Sequence, residues 1–331
     1  MILDSLATKN DFKSIFTYDE GFCEFCKQVE SGQASHAYIL DCSDKILYDE
    51  LLASCAVKVL GCIDSQTANL VYAHTHPDVE FFPDADKKKI SVDDVKKMTA
   101  SAYLKPLKGN KKVFCMMAGE SNTETWQNKL LKLLEEPPQN VVFFIAVPNA
   151  EELLPTVRSR CQLLKMGNFR VDAIASYLNK KRNLPLPKAN YFAKLAQGSV
   201  SKALTISTSD DYLTCVNDVL YLFKNMTGTK NMLYVMPIVN KYKDDYQDFL
   251  EIMSNVLYET LLTVLKVKQP LNLFETSDII KIASLYTESA LIRCIQLVEK
   301  AKKQLDNFAN YTMVMDELLL KILEVRYLCR P

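Results

Sequence analysis

The sequence predicts an α/β N-terminal domain, a parallel sheet with flanking helices, followed by two all-helical regions. Three observations carry this expectation. Short, nearly continuous apolar runs at His36–Cys42 ("HAYILDC"), Val113–Met117 ("VFCMM") and Val141–Val147 ("VVFFIAV") read as buried parallel strands. Helical patterns lie between them, including Tyr48–Gly61 and Thr123–Glu136, and this alternation implies a parallel α/β sheet. From Asn168 onward the patterning is wholly helical.

The elements follow in order. The run "TETWQNKLLKLLEE" carries a leucine stripe with Trp126, a core face, and stops at Pro137-Pro138, which cannot continue a helix. Asn168–Ser207 reads as a small helical lid, with "LPLPK" (Leu184–Lys188) as a turn and Gly198 as a helix stop. The polar stretch "STSDD" (Ser207–Asp211) breaks the pattern, and long amphipathic helices follow, with Pro270 and "TSD" before Ile279 marking ends and starts. The expected division is 1–167, 168–208 and 209–331, the last an all-α collar or oligomerisation domain.

Composition narrows the function classes. The 331 residues, 48% hydrophobic, suffice for two or three domains with a sizeable core. Lys+Arg and Asp+Glu are 40 each, so no net field draws the chain to nucleic acid or an anionic membrane. No apolar run is long enough to span a bilayer, and the opening "MILDSLATKNDF" lacks a basic segment followed by an apolar one; a cytoplasmic protein is expected. Ten cysteines include a single CxxC pair, Cys23/Cys26, so reduced, buried thiols are expected rather than disulfides or zinc.

The stretch "QNKLLKLLEEPPQNVVFFIAVPNAEELLPTVRSRCQ" resembles the bacterial DNA polymerase III clamp-loader subunits of the AAA+ class. "HAY" opening the first strand, "HPDV" (His76–Val79), "ISVDDVKKM" (Ile90–Met98) and "SRC" (Ser159–Cys161) recur in that family's order. The likeness is strong over about residues 30–165, moderate through the lid at "GSVSKAL" and architectural beyond. It implies an AAA+ RecA-like sheet. The family includes ATPases, gamma and tau, and an ATPase-inactive member, delta prime.

The residues distinguish these. A P-loop, GxxxxGK[ST], needs bare glycine backbone around phosphate, then Lys for charge and Ser/Thr for magnesium. After "HAYIL" stands "DCSDKILYDE", which puts Cys42 and Leu47 at the glycine positions and Tyr48 and Asp49 at those of Lys and Thr. Asp41, Asp44 and Asp49 would repel an anion, and Lys45 alone compensates poorly. The acidic pair expected after "KKVFCMM" is replaced by Met117, Ala118 and Gly119, with Glu120 the one acid beyond. The lid arginine that the resemblance puts inside "GSVSKAL" is Ser201. The family's zinc insertion is reduced to Cys62, so His74 and His76 complete no thiolate cage. No cofactor and no metal are expected.

What remains is Ser159-Arg160-Cys161. A guanidinium supplied by the next subunit stabilises charge on a transferring γ-phosphoryl group, by roughly 10³–10⁵ in rate. The resemblance implies that Arg160 is such a trans arginine finger, with Ser159 and Cys161 shaping its turn. Arg158 reads as an ordinary surface charge, Lys87-Lys88-Lys89 as a solvated connector and His36 as a satisfied core or turn histidine. The implied function is a non-catalytic delta-prime-like stator that completes the loader ring. Its implied partners are gamma/tau and delta, with the sliding clamp and primed DNA met through the assembled complex. The alternatives are a gamma/tau-like ATP-hydrolysing motor or an inert scaffold subunit.

Overall fold

The structure is a computed structural model that describes residues 12–61, 64–84, 87, 89–119, 123–167, 169–226, 228–267 and 273–328. The chain divides into two compact units, Met1–Thr205 and Ile206–Pro331.

The first unit is built on a five-stranded sheet. Its elements run α1 (Lys13–Phe16), α2 (Glu20–Glu30), β1 (Ala37–Cys42), α3 (Tyr48–Leu60), α4 (Ser65–Tyr72), β2 (Val79–Phe82), α5 (Val92–Ala102) and β3 (Lys112–Met117). They continue with α6 (Glu124–Glu135), β4 (Val141–Val147), α7 (Pro155–Arg158), β5 (Gln162–Met166), α8 (Val171–Arg182), α9 (Leu186–Leu195) and α10 (Val200–Thr208). All pairings are parallel, in the order β2-β3-β4-β1-β5. This is the parallel α/β sheet that the alternating pattern predicts.

Alternation along the strands sorts side chains into two buried layers. Ile39, Phe114, Met116, Phe143 and Ile145 pack in one core cluster with Trp126, Leu130 and Leu133 of α6 and with Val95 and Met98 of α5. On the other face Tyr38 stacks on Phe144 at 5.4 Å, and Phe25 of α2 meets both edge-on at 5.2 and 5.4 Å. Gly21 lets α2 approach β5 closely, since a Cβ there would collide with the Lys165 carbonyl.

Local signals place the helices. Gly61 ends α3 in the left-handed conformation at φ 61°. Ser91 and Asp94 form a reciprocal capping box at the start of α5, and Lys87 reaches Asp94 at 2.8 Å. Lys87 and Lys89 are exposed, while Lys88 lies outside the described residues. His36 is satisfied by the Leu134 carbonyl at 3.1 Å.

Three sequence expectations need correction. β2 and β5 were not anticipated: β2 has four residues, and β5 has five, along a sheet edge, with apolar Leu163 exposed and Leu164 buried. "LPLPK" is less of a turn than it reads, because α9 starts at Leu186 with Pro187 in its first turn, where a missing N–H is harmless. "STSDD" is not a broad break either, since α10 continues to Thr208 and α11 begins at Asp210. Pro270 lies outside the described residues.

Asp78, buried just before β2, accepts the backbone N–H groups of Leu107, Lys108 and Gly109 at 2.5, 2.7 and 2.9 Å. Burial opposes its charge, but these three donors and neighbouring His76 outweigh it and hold the carboxyl below its ordinary value. Stability linked to Asp78 is therefore complete above the ordinary carboxylate range and is lost as pH falls through the lower, folded-state value. The expected result is that Asp78→Asn shrinks the stability difference between pH 7 and about pH 3, measured by urea unfolding; an unchanged difference contradicts this account.

The second unit comprises α11 (Asp210–Asn225), α12 (Thr229–Lys241), α13 (Tyr246–Val264), α14 (Thr276–Ala283), α15 (Glu288–Asp306) and α16 (Tyr311–Leu328). α13 packs on α11, α14 and α15, and α15 on α16. Its core holds Phe223, Phe249, Met253, Leu257, Leu291, Cys294 and Leu319. Among the described residues no helix is long and apolar enough to cross a membrane.

Candidate functional site

The carboxyl edge of a parallel sheet is where α/β folds bind ligands. At this edge β1 runs into Ser43 and Asp44, a short 3₁₀ turn at Lys45–Leu47, and then α3. Tyr48, the first residue of α3, is buried and donates its phenol O–H to the Cys42 carbonyl at 2.8 Å. Burial raises its pKa well above the ordinary tyrosine value, so the phenol stays protonated. Leu47 and Cys42 are also buried, and burial pushes the Cys42 thiol up to about 12. Gly119, beyond β3, lies beside this turn, where a Cβ would stand 3.7 Å from Lys45 Cδ and 3.9 Å from Tyr48 Cε2. Glu120 lies outside the described residues.

The acids here are engaged separately. Asp49 pairs with His74 Nε2 at 2.6 Å, and His74 stacks on Phe81 at 3.7 Å. Burial raises the Asp41 carboxyl above its ordinary value, against the Ala150 N–H and Lys165. Asp44 turns to the lid: it accepts Val200 N–H at 2.6 Å, Ser199 Oγ–H at 2.8 Å and Ser201 Oγ–H at 2.6 Å. The structure thus joins two stretches that the sequence treats separately, the loop after β1 and "GSVSKAL". No local pattern foretells a contact across 155 to 157 residues.

Ser159-Arg160-Cys161 forms the turn between α7 and β5. Pro155 starts α7, and Ser159 Oγ donates to the Thr156 carbonyl at 3.1 Å. Cys161 packs against the core, and burial pushes its thiol up to about 12. The Arg160 guanidinium donates to the Thr156 carbonyl at 2.7 Å and to Glu135 Oε1 at 2.6 Å, and its side chain is 33% exposed. Glu135 as its partner was missed by the sequence reading, although it stands in the same quoted stretch. Arg158 departs from an ordinary surface charge: it pairs with Glu151, and its buried Nε has no hydrogen-bond partner.

Among the described residues no cluster of three or more His, Cys, Asp or Glu could hold a metal; Cys62 lies outside them. His76 is buried, its Nδ1 accepting the Asp78 N–H at 3.2 Å. None of the described cysteines forms a disulfide.

Residues 19–170 match the family described as DNA polymerase III, delta subunit. The chain is 27% identical over 200 residues to DNA polymerase III subunit delta' of Escherichia coli (strain K12), covering 58% of this chain and 60% of that protein. Over these residues the chain is similar to proteins named delta'. The delta'-named protein of Haemophilus influenzae is 26% identical to it over 165 residues, 48% of this chain and 50% of that one. DNA polymerase III subunit gamma of Buchnera aphidicola is 24% identical over 259 residues, 70% of this chain and 71% of that one. The chain therefore spans about half to three-fifths of the length of these delta'-named relatives. A solved gamma subunit-related protein of Thermotoga maritima aligns over 92% of this chain and 98% of that one, at 14% identity and a TM-score of 0.39.

Proposed function

We propose that the chain is a non-catalytic subunit of the DNA polymerase III clamp loader, a stator that completes the ring and offers Arg160 in trans to a neighbouring ATP site. The observation that carries this reading is the setting of Arg160: a partly exposed guanidinium, restrained by the Thr156 carbonyl and Glu135 on the short turn between α7 and β5. The resemblance supports the same reading, since it sets Tyr48 and Asp49 at the positions where a P-loop needs Lys and Thr. In this reading gamma/tau and delta are the direct partners, and the clamp and primed DNA are met through the assembled, cytoplasmic complex. The division 1–167, 168–208 and 209–331 belongs to the same reading, with the last part as collar. Phe308 and Met313, 99% and 72% exposed, and Tyr234, 73% exposed, are apolar surface available for packing on sister collars.

The test is an Arg160→Ala exchange in the reconstituted loader, with clamp- and DNA-stimulated ATP turnover as the readout. One observation favours a second reading, an inert scaffold: both hydrogen-bonding ends of Arg160 are engaged by its own unit. Unchanged turnover would select it. Separately, titration of the isolated chain with Mg-ATP is expected to show no saturable binding at concentrations that saturate its ATPase siblings; saturation would select an ATP-hydrolysing motor.

A further inference from the structure

We propose that Asp44 is an internal latch: its carboxylate takes the place of a bound anion between the loop after β1 and the N-terminus of α10, and holds the lid closed without nucleotide. The inference rests on the reading that the loop after β1 binds no phosphate.

The first N–H groups of a helix have no partner within it and carry partial positive charge, which makes a helix N-terminus an anion site. At α10 that site is filled from inside the chain. Asp44 Oδ2 accepts the Val200 N–H, and Oδ1 accepts the hydroxyls of Ser199 and Ser201. The Ser199 hydroxyl also accepts the Lys202 N–H at 3.2 Å, so the first turn is knitted to the same carboxylate. Asp44 is itself fixed at its backbone, its carbonyl accepting the Leu47 N–H at 3.0 Å. It is 5% exposed, and no ion pair among the described residues includes it. Its charge is therefore balanced by a helix end and two hydroxyls rather than by a cation, and withdrawing α10 would leave a buried carboxylate without donors. Two elements that would otherwise face a phosphate, a strand-to-helix loop and an open helix N-terminus, are bonded to each other. The lid then needs no ligand to close.

The experiment is amide hydrogen exchange on the full chain, wild type against Asp44→Ala, Asp44→Asn and the double change Ser199→Ala/Ser201→Ala, each with and without Mg-ATP. In the wild type, Val200 and Lys202 are expected to exchange slowly without nucleotide. Asp44→Ala is expected to speed both by about tenfold or more, the scale of one hydrogen bond to a charged group, with β1, β3 and β4 protection unchanged. Asp44→Asn, which keeps one carbonyl acceptor, is expected to fall between, and so is Val200 in the serine pair, which keeps the Val200 bond but removes the Lys202 acceptor and so is read at Val200 alone; both also serve if Asp44→Ala does not fold. Unchanged exchange at Val200 in all three variants overturns the latch. Slowing of wild-type exchange by Mg-ATP overturns the empty-cradle reading instead, and it does so whether or not the Asp44 variants loosen α10.

Discussion

Replacing Arg160 with alanine is expected, on the proposed finger role, to cut ATP turnover at one neighbouring site by roughly 10³-fold or more, the scale measured when an arginine finger is removed. A loader with several ATP sites would lose the share of that site, and with it clamp loading on primed DNA. Arg160→Lys is expected to recover little, because an ammonium keeps the charge but not the planar fork that spans two phosphoryl oxygens. Folding is not the cause of such a loss: the pair with Glu135 is one-third to one-half exposed, and an ion pair of that kind contributes under about 1 kcal/mol. Melting of the isolated variant should match the wild type. Glu135→Gln weakens the competing partner while leaving Arg160 in place, so turnover is expected to hold or rise; a loss as large as that of Arg160→Ala would mean that the pair, not the free guanidinium, matters.

The second large effect is at Tyr48. Its ring is buried beside Gly119, and its hydroxyl closes onto Cys42. Tyr48→Ala is expected to cost about 3–5 kcal/mol by urea unfolding, the range for truncating a buried aromatic, while Tyr48→Phe loses only the hydrogen bond and is expected to cost about 1 kcal/mol. Opening this space is not expected to create a nucleotide site. Asp49 still follows, and neither Cys42 nor Leu47 offers bare backbone to a phosphate. A Tyr48→Ala protein as stable as the wild type would mean that the ring fills nothing essential, and the account of the occupied loop would fall.

How much of this was legible beforehand follows from the range of each interaction. β4 falls on the predicted Val141–Val147 and α6 within one residue of each end of Thr123–Glu136, because continuous burial and a proline stop are local properties. β2 and β5 escaped, since four residues, or a five-residue edge strand reading Gln-Leu-Leu-Lys-Met without strict alternation, carry too little pattern to separate from loop. At the candidate site the substitutions at Tyr48, Asp49 and Ser201 were visible as residue types. Their relationships were not. Asp44 read as one more charge that repels phosphate, whereas in the fold it is the acceptor for Ser199, Val200 and Ser201. Arg160 read as a finger offered in trans, whereas in the fold its guanidinium also pairs with Glu135, 25 residues away. Such pairings are made by chain folding over long separations, and one sequence contains no record of them.

The packing of Cys161 bears on how the protein withstands oxidants. The thiolate, not the thiol, is the species that reacts with peroxides and alkylating agents, and with its proton held up to about 12 this sulfur exposes almost none of it near neutrality. The residue next to Arg160 is in this respect chemically quiet. The turn is therefore expected to keep its geometry under mild oxidation, with Cys161 left unmodified when the treated protein is read by peptide mass spectrometry.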